Sequence, residues 1–255
     1  MSEFSSAWKA RFGGEAPMDL PELAATMARK SARGFLPDPL AEELKTALFG
    51  VAQCAATTCG LQMWSALEVS AEQRDRMWEL TGKQDHVRTA PWVLCFCADH
   101  ARAHQISTDP GGLGTLEFFL MAAMDACFAS ERLCTSAEQL GLATCYVGSI
   151  RNRMPEVCEL LALPDRVAPL FLLLVGREDP ADPTPLRPRL ASDAIRQPGG
   201  RDETYDDRMR PYFDQMSRQS DLNWSERLQN RLREHHQRGR GQLVSWLKSR
   251  GFDLE

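Results

Sequence analysis

The chain has 255 residues, a formal net charge of -5, 43% hydrophobic and 25% charged residues. That is enough to bury a sizeable core, the composition is ordinary for a globular protein, and the acidic balance argues against a general nucleic-acid binder. Residues 1–14 carry no signal-peptide core, and the apolar run Val167–Val175 is too short to span a bilayer, so a cytoplasmic protein with no membrane partner is expected.

Asp19–Lys30 reads as a helix with Asp19 as cap and Pro21 in its first turn. Pro37 and Pro39 then force the chain out of helix. In an extended backbone Arg29, Ser31 and Arg33 share one face, and two cations flanking a hydroxyl suit a phosphate or another anion. A solvated basic turn is the alternative reading. Leu40–Cys54 is a second helix, and Ala55–Gln62 is a loop of small and hydroxyl residues that would let a ligand approach the backbone. Trp64–Ser70 is predicted as a strand, Ala71–Leu80 as a helix and Pro91–Ala98 as a central strand. Asp99 is predicted to cap the segment after this strand. His100 and His104 stand four apart beside it, but nothing else converges on them, so no metal site is assigned.

The chain is organised around Gly114–Asn152. Thr115–Leu140 contains neither Gly nor Pro, and its first half is apolar on nearly every face, which predicts a long helix buried all round. Gly141 stops it, and Thr144–Gly148 is a short strand ending in the small pair Gly148-Ser149, where a flat ligand could reach the backbone. Asn152–Leu163 is a further helix and Ala168–Val175 the last strand. Asp179–Pro198 is a Pro-rich surface excursion carrying Arg187-Pro188-Arg189. Helical segments are predicted near 206–216, 224–236 and 241–250.

The eight cysteines have no C-x-x-C spacing. They are read as reduced core thiols, with Cys95 and Cys97 on one strand face. About four strands among many helices, without clean βαβ alternation, predict an α+β fold with a helix-covered sheet. Three parts are expected: an extension 1–18, a core 19–200 and a charged helical excursion 201–255. No G-x-G-x-x-G or P-loop is present.

An ordered set of motifs then resembles a known family. Arg29-Lys30-Ser31-Ala32-Arg33-Gly34-Phe35 is similar to the opening of the FMN-dependent nitroreductase superfamily. Leu80–Val87, Phe96–Asp99, Leu140–Leu142 with Tyr146–Ser149, Pro169–Phe171, Leu186–Leu190, Trp224-Ser225 and Leu247–Phe252 come in the same order. Together they resemble the NADPH-dependent oxygen-insensitive nitroreductases and NADPH flavin reductases. The resemblance implies a mainly antiparallel sheet in an intertwined homodimer, with FMN at the subunit interface and NADPH as reductant. Nitroaromatics, quinones or related small two-electron acceptors would be reduced by a ping-pong cycle, with no catalytic side chain beyond the flavin. A flavin reductase releasing reduced FMN and a non-catalytic flavin-binding protein are the alternatives.

Carried over by position, the cofactor contacts are Arg29, Lys30, Ser31, Ala32, Arg33, Thr57, Gln84, Tyr146, Val147, Gly148, Ser149, Arg187 and Arg189. Arg29, Ser31, Arg187 and Arg189 would hold the phosphate, and Arg33 and Gln84 the pyrimidine edge of the ring. Arg218 would meet the 2′-phosphate of NADPH. Arg29 stands where the group usually has His, and its Ser-rich loop is here Ala55–Gly60.

Overall fold

A computed structural model describes residues 1–196, 199, 205–218, 224–237 and 240–254. By contacts the chain divides into two compact units: Met1–Lys30 with Thr184–His236, and Ser31–Pro183 with Gln237–Glu255. The expected parts 1–18, 19–200 and 201–255 divide the sequence at other points.

The first unit opens on helix α1 (Glu3–Phe12). The Ser2 hydroxyl accepts from Ser5 N at 3.1 Å, and Gly13 closes the helix at φ +78°, a conformation that favours glycine. Asp19 accepts from the hydroxyls of Ser2 and Ser5. It therefore braces α1 and does not cap a helix of its own. The expected helix 19–30 reduces to a 3₁₀ turn, Pro21–Leu23, and helix α2 (Ala24–Ala28).

The second unit continues with α3 (Glu42–Gln53), β1 (Trp64–Glu68), α4 (Arg74–Leu80) and α5 (His86–Thr89). Next come β2 (Trp92–Asp99), α6 (Ala101–Ile106), α7 (Leu116–Gln139), β3 (Ala143–Val147), α8 (Met154–Leu160) and β4 (Val167–Gly176). The four strands form one antiparallel sheet in the order β1-β2-β4-β3. Every residue of β2 is buried, as its apolar run predicts. The Asp99 carboxylate accepts from Ala101 N at 3.0 Å, an Asx turn at the end of β2, whereas the N-cap position of α6 is His100, which makes no side-chain cap bond.

Alternation sorts the sheet residues onto two faces. Val93, Cys95, Cys97, Leu172 and Leu174 join the core that includes Met77 of α4 and Val157 of α8. Trp92, Leu94, Phe96, Leu173 and Val175 pack with Ala126, Ala129 and Leu133 of α7. The sheet is covered by helices on both sides. Between β2 and β4 the register slips at Phe96/Cys97, where Phe171 and then Pro169 are the partners and Leu170 is left over. Pro169 has no N–H for the ladder, so a bulge beside it costs little.

α7 runs for 24 residues, about 36 Å. It is not buried all round. Ala122, Ala126, Ala129, Leu133 and Ala137 face inward, whereas Leu116, Leu120, Met124 and Phe128 are 43–49% exposed. Both faces are apolar in sequence, so composition alone does not distinguish them. Gly141 (φ +77°) ends the helix as predicted.

The first unit resumes with α9 (Ser192–Ile195), α10 (Tyr205–Arg218) and α11 (Trp224–Gln237), the last of which reaches just past the unit boundary. The second unit closes with α12 (Leu243–Ser249). Gly251 N bonds to Lys248 O and Phe252 N to Leu247 O, a Schellman closure that buries Phe252 beside Leu247, Met154 and Ala168. Trp246 and Leu247 thus pack on their own chain, while Leu228, Leu232 and Val244 are exposed.

All eight thiols are free. Cys95, Cys97, Cys134, Cys145 and Cys158 are buried, but Cys54, Cys59 and Cys127 are exposed, so the core reading holds for five. Cys95 and Cys97 do share a face, with sulfurs 3.9 Å apart. Among the described residues no helix is long and apolar enough to cross a membrane.

Candidate active site

In the second unit three separate stretches come together around the end of β3. Ser149 Oγ donates to Thr81 O at 2.9 Å and accepts from Gln84 Nε2 at 2.6 Å, while Gln84 Nε2 also donates to Thr81 O at 2.7 Å. The hub is the Thr81 carbonyl at the C-terminal end of α4. The Thr81 hydroxyl is turned back onto the carbonyls of Met77 and Trp78, which fixes that helix end. Two predicted contacts 65 residues apart, Gln84 and Ser149, are therefore held by one another.

Gly148 directly precedes Ser149. A Cβ here would come within 3.0 Å of the Arg151 guanidinium. Arg151 in turn donates to the Leu170 carbonyl that the bulge sets apart from the ladder. Arg240 donates to Gly148 O at 3.1 Å and to Asn152 Oδ1 at 2.7 Å. A larger residue at 148 would have to push the Arg151 guanidinium aside. Tyr146 sends its hydroxyl toward Ser130 (3.3 Å) and Glu131 (3.2 Å) of α7 and packs edge-on against Phe171. Burial drives the Tyr146 pKa far upward, so the phenol stays protonated. Val147 is buried in the sheet.

Residues 31–36 run along the sheet edge. Ser31 bridges Thr144 in parallel, Ala32 N donates to Thr144 O at 3.0 Å, and Ala32 is fully buried. Arg33 points outward and its N–H donates to Asp182 Oδ2 at 2.7 Å. His86 is buried, which lowers its pKa; the Arg33 cation lowers it further, against the opposing pull of Asp85 and Asp182. His86 is therefore neutral at pH 7, leaving Arg33 as the cation of this pair.

Thr57 precedes the turn Thr58–Gly60. Asp125 of α7, fully buried, pins that turn: its Oδ1 accepts from Thr58 N at 2.7 Å and Thr58 Oγ1 at 3.0 Å, and among the described residues its Oδ2 has no hydrogen-bond partner. His100 Nε2 is hydrogen-bonded to Phe118 O at 3.1 Å.

In the first unit the basic segments around Arg29 and Arg187 are neighbours. Lys30 Nζ donates to Thr184 O at 3.0 Å. Arg189 Nη1 reaches the Pro188 carbonyl at 3.1 Å. Among the described residues Arg187 Nη1 is buried with no hydrogen-bond partner. A buried guanidinium N–H without an acceptor is unfavourable, and an oxyanion removes that cost. Arg11, which no motif marked, binds both segments through their carbonyls. Arg218 is the last residue of α10; its side chain and the stretch 219–223 lie outside the described residues.

The profile of the nitroreductase family matches residues 79–177, the stretch from the end of α4 through β4. FMN reductase (NADPH) of Bacillus subtilis is 31% identical over 88% of this chain and 95% of its own length. The chain belongs to the nitroreductase family. Within it, the oxygen-insensitive NADPH nitroreductase of Salmonella typhimurium is 35% identical over 69% of this chain and 72% of its own length. Among solved structures, the NADPH:FMN oxidoreductase of Vibrio harveyi complexed with NAD+ superposes with a TM-score of 0.83. It is 27% identical and covers 90% of this chain and 97% of its own. The α+β fold with its helix-covered antiparallel sheet is thus the nitroreductase fold.

Proposed function

We propose that the chain is an FMN-dependent NAD(P)H oxidoreductase reducing nitroaromatics, quinones or related small two-electron acceptors. The observation that carries this reading is near-full-length similarity to FMN reductase (NADPH), supported by similarity to an oxygen-insensitive NADPH nitroreductase. The residues fit the cofactor. In the first unit Arg29, Arg187 and Arg189 would hold the phosphate, with Arg187 Nη1 supplying a donor that lacks an acceptor. In the second, Ser31 would add a hydroxyl, Arg33 would set its charge at the pyrimidine edge, and Gln84 would accept there through Oε1, since its Nε2 is already engaged. Thr57 and the backbone of 146–149 would flank the ring. Lys30 and Ala32 would contribute main chain, because their side chains are turned to Thr184 and to the core.

FMN bound by these residues would supply the hydride acceptor for a nicotinamide and the two-electron donor for the acceptor. The protein's part is orientation and charge. Purified protein supplied with FMN should oxidise NADPH with a quinone, giving parallel double-reciprocal lines. Absence of turnover with bound FMN would favour a carrier. Two similar proteins are named FMN reductases, which favours a second reading, release of reduced FMN to a partner. Turnover of free FMN with weak retention of the cofactor distinguishes it.

A homodimer is part of the proposal. Leu116, Leu120, Met124 and Phe128 form an exposed apolar stripe along α7, a surface that a second copy would bury. Light scattering at micromolar concentration should give twice the chain mass, and Phe128→Glu should give monomer. A monomeric wild type with FMN bound contradicts this. The eight free thiols suit a reducing cytoplasmic setting.

Arg218 would favour NADPH by charge-assisted bonds to the 2′-phosphate. Wild type should prefer NADPH in kcat/KM, and Arg218→Ala should reduce that preference by about fivefold to tenfold. Equal use of NADH by wild type, or an unchanged ratio in the variant, removes Arg218 from the site.

A further inference from the structure

Arg11 has a buried guanidinium whose shown partners are main-chain carbonyls of its own unit. The residue is 5% exposed. Nε donates to Met27 O at 2.6 Å, Nη1 to Arg187 O at 3.1 Å, and Nη2 to Arg29 O. Its own carbonyl accepts from Arg189 N at 2.9 Å. One residue of α1 thus ties down the main chain beneath Arg29, Arg187 and Arg189. The Lys30–Thr184 bond joins the same two segments a second time.

Burying a charge is unfavourable unless its hydrogen bonds are satisfied, and an apolar side chain would fill the space without that cost. What a guanidinium adds is a rigid planar fork that sets the spacing of the carbonyls it binds. Here two of the three carbonyls belong to cationic residues, Arg29 and Arg187, which repel one another when brought close. One of these cations, Arg187, holds a buried donor that has no partner among the described residues. The arrangement gathers positive charge around a buried donor without an acceptor among the described residues, a setting that suits an anion.

We infer that Arg11 is a positioning residue for a phosphomonoester. It holds Arg29 and Arg187–Arg189 in the spacing that meets the FMN phosphate, and so makes α1 part of cofactor selection. The inference rests on the proposed FMN binding. It concerns the phosphate end of the ligand alone, which separates it from a general structural role: a residue needed only for folding affects every flavin equally.

The test is equilibrium binding of FMN and of riboflavin to flavin-free protein in phosphate-free buffer, for wild type, Arg11→Ala and Arg11→Lys. Wild type should bind FMN more tightly than riboflavin. Arg11→Ala should raise the Kd for FMN about tenfold or more while that for riboflavin moves less than about twofold, since displaced cations lose charge-assisted bonds to phosphate only. Arg11→Lys, with a point charge that cannot span three carbonyls, should fall between. Inorganic phosphate should compete with FMN in wild type more strongly than in either variant. Unchanged FMN affinity in both variants overturns the inference, as does an equal loss for both flavins. If wild type does not distinguish FMN from riboflavin, the phosphate assignment itself fails, whatever the variants do.

Discussion

Phe252→Ala is expected to destabilise the protein by about 3–5 kcal/mol, the range for truncating a fully buried aromatic residue. Phe252 is fully buried close to the end of the sequence. Its ring meets Phe119 of α7 edge-on at 5.4 Å and His100 at 5.0 Å. The backbone holds it there by three ties: the Schellman closure of α12, Arg166 N to Arg250 O at 2.8 Å, and Leu254 N to Gly114 O at 3.0 Å. Truncation would leave a cavity among Met154, Ala168 and Leu247, with little freedom for these neighbours to collapse. Phe252→Leu should cost less, about 1 kcal/mol. Urea unfolding monitored by circular dichroism measures both. A midpoint for Phe252→Ala within error of wild type, at unchanged m, would show that the C-terminal segment is not part of the core.

Arg33→Ala is expected to weaken the protein's hold on reduced flavin more than on oxidised flavin. The guanidinium is exposed and its main chain is anchored to Asp182, while neighbouring His86 is kept neutral by burial. Arg33 therefore supplies the positive charge at this place. Loss of one charge-assisted contact is worth roughly 1.5–3 kcal/mol, discounted here by exposure. The flavin potential should fall, turnover should slow, and thermal stability should stay near wild type, because the anchoring bond uses the backbone N–H. Arg33→Lys should recover part of the potential. An unchanged potential and rate would make Arg33 a solvated surface charge.

The elements that set the fold could be read from the sequence wherever one period dominated. β2 is a continuous apolar run and is buried throughout; α7 lacks a breaker between Thr115 and Gly141 and is one helix. Where two faces of a helix share a chemistry, the sequence did not separate them. The inward alanines and the outward Leu116, Leu120, Met124 and Phe128 of α7 are equally apolar. α1 is not marked in the sequence by a breaker-bounded apolar run, and Asp19, which braces its first turn, reads in sequence as the start of the next helix. In the candidate site, Gln84 and Ser149 came from ordered motifs, and their mutual bond accounts for the pairing. Arg11, Arg240 and Asp125 were invisible for a different reason. Arg11 binds carbonyls 16, 18 and 176 residues away, and Arg240 binds one 92 residues away; a backbone oxygen leaves no mark on the sequence of either partner. Asp125 is a single acid in an otherwise apolar helical run, and only the fold shows the turn it holds.

The central claim is that this chain binds FMN in a form that a nicotinamide nucleotide reduces. Anaerobic titration of the FMN-loaded protein with NADPH tests it most directly. The yellow absorbance should bleach within seconds of each addition, reach completion near one equivalent per bound flavin, and return on addition of a quinone. A protein that binds no FMN, or whose bound FMN keeps its colour with excess NADPH, would contradict the account.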